Sequence, residues 1–185
     1  MFVMNIANKL TIARFVIIPL MLVVINIDFE IYIVNLELGE FIFLLMFVIA
    51  GFTDYLDGYL ARKYNLVTNL GKFLDPIADK MLVATGLAYL VSIQAVPVWV
   101  FIVIISREFL MSGFRIILSE KKIVLAANKL GKYKTAFTMF TITFYLIRAN
   151  EVYLLLGDIL LLITVVLTLT SGLKYFLDNK KHIIF

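Results

Sequence analysis

The sequence predicts an all-α, polytopic membrane protein of six transmembrane helices, and three observations predict it. Mean hydropathy is +1.01, with 63% hydrophobic and 16% charged residues among 185; soluble domains are about half apolar and about a quarter charged. Six apolar runs each approach the roughly 20 helical residues needed to cross a hydrocarbon core. The basic residues, finally, gather at alternate ends of those runs. A single domain over residues 1–185 accounts for the length.

The first predicted helix covers about 10–27. It follows Lys9 and Arg14 as a signal peptide would, but Asn26, Asp28 and Glu30 stand where a small-residue cleavage site is needed, so it reads as a retained helix. The second, about 40–61, continues past the end of its apolar run at Phe52 into an acidic stretch. The third, about 75–93, is predicted to open at Asp75-Pro76 with proline at the first helical position. The fourth, fifth and sixth cover about 97–118, 133–149 and 153–176. These runs are too long and continuous for barrel strands. The connections are short, so neighbours should run antiparallel.

Six spans put both termini on one side. Sixteen of the seventeen Lys and Arg fall on that side, Arg148 being the exception. Asp28, Glu30, Glu37, Glu40, Glu151 and Asp158 fall opposite. By the positive-inside rule the basic side is cytoplasmic. The net charge of +4 is thus explained by topology, and no nucleic-acid partner is expected. Cysteine is absent and His182 is the only histidine, which disfavours thiol chemistry, a Ser-His-Asp triad and a His-ligated metal.

Against this background Asp54, Asp57, Asp75 and Asp79 need a reason. Asp54, Asp57, Gly58 and Ala61 fall at i, i+3, i+4 and i+7 and share one helical face; Asp75 and Asp79 share another. The intervening loop returns the chain to the same membrane side, so the pairs can converge. An aspartate in a transmembrane segment costs about 2.5–3.5 kcal/mol. Two carboxylates about 6 Å apart repel by about 3 kcal/mol at an effective dielectric near 20. Protonation or cations would relieve this. Oxygen ligands without His or Cys favour hard ions, Mg²⁺ or Mn²⁺, and two such ions would neutralise four carboxylates. Paired metals about 4 Å apart serve in-line displacement at phosphorus. Gly58 and Gly71 would let a base or ribose approach the backbone, and Arg62 could take phosphate oxygens bidentately. Plainer readings stand beside these: Asp75 as a helix N-cap, Asp57-Gly58 as a turn, Gly58 as a helix-packing residue.

Residues 54–79 match D-x2-D-G-x2-A-R-x8-G-x3-D-x3-D at all eight specified positions over 26 residues. In this the chain resembles the CDP-alcohol phosphatidyltransferases, membrane enzymes of six helices. NKLTIAR (8–14), GKFLDPIADK (71–80), SREFLMSGFR (106–115) and LGKYKTAFTM (130–139) resemble the bacterial phosphatidylglycerophosphate synthases among them. The resemblance implies a polar cavity open to the cytoplasm, a bacterial cytoplasmic membrane and a homodimer among membrane lipids. It implies CDP-diacylglycerol and sn-glycerol 3-phosphate as substrates, and phosphatidylglycerol phosphate and CMP as products. Carried over by position, Asp54, Asp57, Asp75 and Asp79 are metal ligands and Asp79 is also the general base. Gly58, Ala61, Arg62 and Gly71 bind CDP, with Asn8 and Thr11 lining the nucleotide end. The acceptor phosphate calls for cations, here Arg107, Arg115, Lys132 and Lys134; the plainer reading makes these lipid-headgroup contacts. Arg107 and Glu108 are expected to pair.

Three rivals remain at this point. A sister enzyme would use serine or inositol phosphate as acceptor. A membrane prenyltransferase would share paired aspartate motifs but not the Asp-Gly-x2-Ala-Arg spacing. A divalent-cation transporter would hold its carboxylates nearer the bilayer centre.

Overall fold

The computed structural model describes residues 6–33, 36–64, 68–120 and 129–184. Six helices carry the fold: α1 (Ile6–Ile25), α2 (Leu38–Lys63), α3 (Asn69–Ser92), α4 (Val98–Glu120), α5 (Lys129–Ile147) and α6 (Glu151–Ile184). Their ends differ from the apolar runs because charged and amide residues extend a helix as long as its backbone bonds are made. At the end of α6, for example, Asn179 Nδ2 donates to the Tyr175 carbonyl at 2.9 Å. Two strands were not foreseen. β1 (Tyr32–Ile33) and β2 (Leu36–Glu37) pair antiparallel, Tyr32 opposite Glu37 and Ile33 opposite Leu36. The Leu38 N–H donates to the Ile31 carbonyl at 2.8 Å, a further backbone pairing within the α1–α2 connection.

The start of α3 corrects the sequence reading. The helix opens at Asn69, not at Asp75-Pro76, and its N-cap is Thr68, whose hydroxyl accepts from the Gly71 N–H at 3.0 Å. Pro76 lies inside the helix, where it forgoes one backbone hydrogen bond. Asp75 is accordingly not an N-cap, Gly71 sits within the first helical turn, and Asp57-Gly58 is helical rather than a turn.

The core runs between the helices through Met21, Phe43, Phe47, Leu82, Leu87 and Ile142, all nearly or fully inaccessible. Gly86 lets α3 approach its neighbours: a Cβ there would lie 2.8 Å from both Ile142 Cγ2 and Phe47 Cε2. Large apolar side chains also face outward on every helix, among them Val16, Phe52, Phe73, Ile102, Phe140 and Leu162. Among the described residues two segments, Asn8–Ile25 and Glu151–Asn179, are by length and composition alone apolar enough to cross a membrane.

Ion pairs and the carboxylates they use gather at the two ends of the bundle. At one end Glu40 accepts from Tyr89 Oη at 2.7 Å and pairs with Arg148, while Tyr145 donates to Asp158. Arg148, the one cation assigned to that end by sequence, therefore meets an acid assigned to the same end. The opposite end combines the start of α1, the end of α2, the start of α3, the end of α4 and the start of α5. The candidate site lies there.

Candidate active site

Two helices deliver the aspartates to one point, and a third brings a cation to meet them. Asp54 comes from the last third of α2, and Asp75 and Asp79 come one turn apart from α3. Between them stands Arg14 of α1, its side chain fully buried. Arg14 Nη1 donates to Asp54 Oδ1 and to Asp79 Oδ1, each at 2.5 Å. Nη2 lies 3.9 Å from Asp75 Oδ1. Thr11, one turn before Arg14, donates its hydroxyl to that same Asp75 oxygen at 2.6 Å. The convergence expected of two carboxylate pairs is thus present for Asp54, Asp75 and Asp79, and a guanidinium holds it.

Asn8 continues this face of α1 outward. Its Oδ1 accepts from the Thr68 hydroxyl at 2.8 Å, and the same hydroxyl oxygen caps α3. Gly71 is packed beneath this junction. A Cβ there would lie 3.1 Å from Asn8 Oδ1, 3.2 Å from Thr68 Oγ1 and 3.7 Å from Asp75 Oδ2. The absence of a side chain at 71 therefore serves the α1–α3 contact. Gly58 is half-buried in α2. The side chains of Asp57, Ala61, Arg62 and Lys132 lie outside the described residues; the first three positions belong to α2 and the last to α5.

A second polar group sits alongside. Glu108 of α4 accepts from Arg107 Nη1 at 2.8 Å and from Lys134 Nζ of α5. Arg107 Nη2 donates to Ser171 Oγ of α6 at 3.0 Å. Lys80 of α3 donates to Ser112 Oγ, which donates in turn to the Glu108 carbonyl at 2.8 Å. Arg107 and Glu108 are paired, as expected. Two cations (Arg107 and Lys134) share the Glu108 carboxylate and Lys80 stands beside them on Ser112, leaving a local excess of positive charge. Arg107 Nε is buried and has no hydrogen-bond partner among the described residues, so that guanidinium is incompletely used. Arg115 is exposed two turns further along α4, and among the described residues no ion pair includes it.

The model for CDP-alcohol phosphatidyltransferases matches residues 4–170. The chain belongs to this family. Relatives cover nearly all of it. It is 40% identical over 183 residues to the CDP-diacylglycerol–glycerol-3-phosphate 3-phosphatidyltransferase of Bacillus subtilis (strain 168), spanning 95% of each chain. The likeness to the protein of that name from Rickettsia bellii is 40% over 182 residues, or 96% of this chain and 97% of the relative. For Haemophilus influenzae it is 37% over 176 residues, or 92% and 91%.

Two residues that the family motif leaves out stand at the centre of the geometry. In the sequence Arg14 reads only as a flanking charge and as part of NKLTIAR. Its signal was a cation four residues inside the first predicted span, where burial demands a partner. Lys80 reads in the sequence only as the residue after Asp79, yet it joins the aspartate helix to the Arg107–Glu108–Lys134 group through Ser112. Among the described residues no three carboxylates form a ready-made metal site; the Asp54 and Asp79 oxygens are turned onto Arg14 instead. As a donor set they still fit a hard divalent ion, since they are carboxylate oxygens already drawn to one point of positive charge.

Proposed function

We propose that this chain transfers the phosphatidyl group of CDP-diacylglycerol to the 1-hydroxyl of sn-glycerol 3-phosphate, giving phosphatidylglycerol phosphate and CMP. The observation that carries this reading is the near-full-length likeness to relatives that bear the name of that activity. The site supports it in two ways: an oxygen-rich aspartate cluster and, beside it, a cationic cluster suited to an acceptor with its own phosphate.

In this reading Asp54, Asp57, Asp75 and Asp79 hold two divalent ions, Mg²⁺ or Mn²⁺, whose chemistry when bound is to offset the charge of the pyrophosphate and of the leaving CMP oxygen. Thr11 fixes one oxygen of Asp75. Asn8, Thr11, Gly58, Ala61, Arg62 and Gly71 form the CDP end. Asp79 receives the proton of the glycerol 1-hydroxyl as that oxygen attacks the phosphorus carrying diacylglycerol; the bond from this phosphorus to the CMP oxygen breaks. Arg107, Lys134, Lys132 and Arg115 hold the acceptor phosphate, and charge excess favours a phosphorylated acceptor over serine.

All six helices span the membrane in this reading, as one domain over residues 1–185, with the site in a polar cavity facing the cytoplasm and a homodimer as the working form. The outward apolar side chains on every helix support the spans, because nothing but lipid or a partner suits them.

The test is CMP release by the purified chain in detergent with CDP-diacylglycerol and Mg²⁺ or Mn²⁺. Glycerol 3-phosphate, serine and inositol phosphate are supplied singly, with Asp79→Asn as control. Release with glycerol 3-phosphate alone is expected. Release with another acceptor would keep the family and reject this substrate. No release with any, from folded protein that binds Mn²⁺, would favour a cation carrier.

A further inference from the structure

We propose that Arg14 is a resident counter-ion of the aspartate site: it holds Asp54 and Asp79 together in the metal-free protein and yields their oxygens when a divalent ion binds. The inference rests on the metal-dependent reading above. Its basis is geometric. The Arg14 side chain is fully buried, and a guanidinium cannot shed its proton to escape the cost of burial. It must therefore be paired, and the partners it finds are carboxylates of the site itself.

One nitrogen, Nη1, serves both Asp54 Oδ1 and Asp79 Oδ1 at 2.5 Å. The two oxygens are thus no further apart than twice that distance. Two ionised oxygens so close repel one another unless positive charge stands between them, and Arg14 supplies that charge. The same oxygens are the ones a divalent ion would need. An oxygen engaged with Nη1 is less available to an ion, so Arg14 pairing and ion binding oppose each other. By linkage the opposition is reciprocal. Because Arg14 belongs to α1 and its partners to α2 and α3, the pairing also ties three helices together in the state where no ion does so.

The experiment uses the full chain in detergent and Mn²⁺ alone as probe. Binding is followed by the electron paramagnetic resonance of free Mn²⁺, and stability by unfolding temperature with and without Mn²⁺. Arg14→Gln is expected to bind Mn²⁺ at least about tenfold more tightly than the natural chain, the factor set by one charge-assisted hydrogen bond. It should also unfold at a lower temperature without Mn²⁺, with most of that deficit removed at saturation. Unchanged or weaker binding, or an equal deficit in both conditions, would overturn the inference and leave Arg14 a packing residue. If Arg14→Gln does not fold, Arg14→Lys decides: fewer donors should still tighten Mn²⁺ binding, and unaltered affinity would count against it. A natural chain that binds no Mn²⁺ removes the metal-dependent reading and this inference together. Binding that Asp79→Asn abolishes and Arg14→Gln leaves unchanged removes the inference alone.

Discussion

A methyl group at position 71 would press on the Asn8 amide oxygen and the Thr68 hydroxyl, at 3.1 and 3.2 Å. Neither can withdraw without cost, since they bond each other and Thr68 caps α3. Gly71→Ala is therefore expected to lower the unfolding temperature modestly, by the loss of a cap worth about 1 kcal/mol. It should lower CMP release more severely, by tenfold or more, because Asp75 follows one turn later. Thermal unfolding beside the CMP assay separates the two effects, and unimpaired release would remove Gly71 from the site. Asp79→Asn probes the reaction itself. Asparagine keeps an oxygen for Arg14 Nη1, so the fold should stand, but it cannot accept the acceptor's proton. A loss of about 10²–10⁴-fold is expected from an absent general base; near-normal turnover at unchanged stability would end that assignment.

At the scale of elements, α3 is where the two halves of the site meet. Asp75 and Asp79 face Arg14, while Lys80 turns to Ser112 and the Glu108 group. Lys80→Gln should raise KM for glycerol 3-phosphate about tenfold, a charge-assisted contact's worth, and leave KM for CDP-diacylglycerol near its natural value. Equal effects on both would mean that Lys80 only braces α4. The helix also depends on Gly86, where an added Cβ meets Ile142 and Phe47 at 2.8 Å, both buried. Gly86→Ala should cost about 1–3 kcal/mol by overpacking, read as a fall in unfolding temperature with the Mn²⁺ affinity preserved. The existence of α3 was legible in the sequence, but its start was not. Proline at a helix's first position is a common pattern, and it masked the Thr68 cap seven residues ahead of Asp75. The choice turned on a side chain-to-backbone bond between Thr68 and Gly71, and polar residues before an apolar run do not reveal such a bond. Arg14 escaped for a related reason. The four aspartates announce a need for positive charge, but which cation answers depends on how α1 packs between α2 and α3.

For the molecule as a whole, the pattern of charge predicted more than the pattern of hydropathy alone. Glu40 with Arg148 at one end, and the aspartate and Glu108 groups at the other, match the two sides that basic residues assigned. Among the described residues, length and composition by themselves pass two segments as spans, Asn8–Ile25 and Glu151–Asn179. The two arrangements make opposite statements about Tyr64. With six spans Tyr64 lies across the membrane from Asp28, Ser92 and Glu151. With α1 and α6 as the only spans, all four positions share one side. The chain contains no cysteine, so single substitutions report without background, and all four residues are exposed. In sealed vesicles of known orientation, Asp28→Cys, Ser92→Cys and Glu151→Cys should react with an impermeant thiol reagent from the non-cytoplasmic face, and Tyr64→Cys from the cytoplasmic face only. Tyr64→Cys reacting from the same face as the others would reject the six-span arrangement.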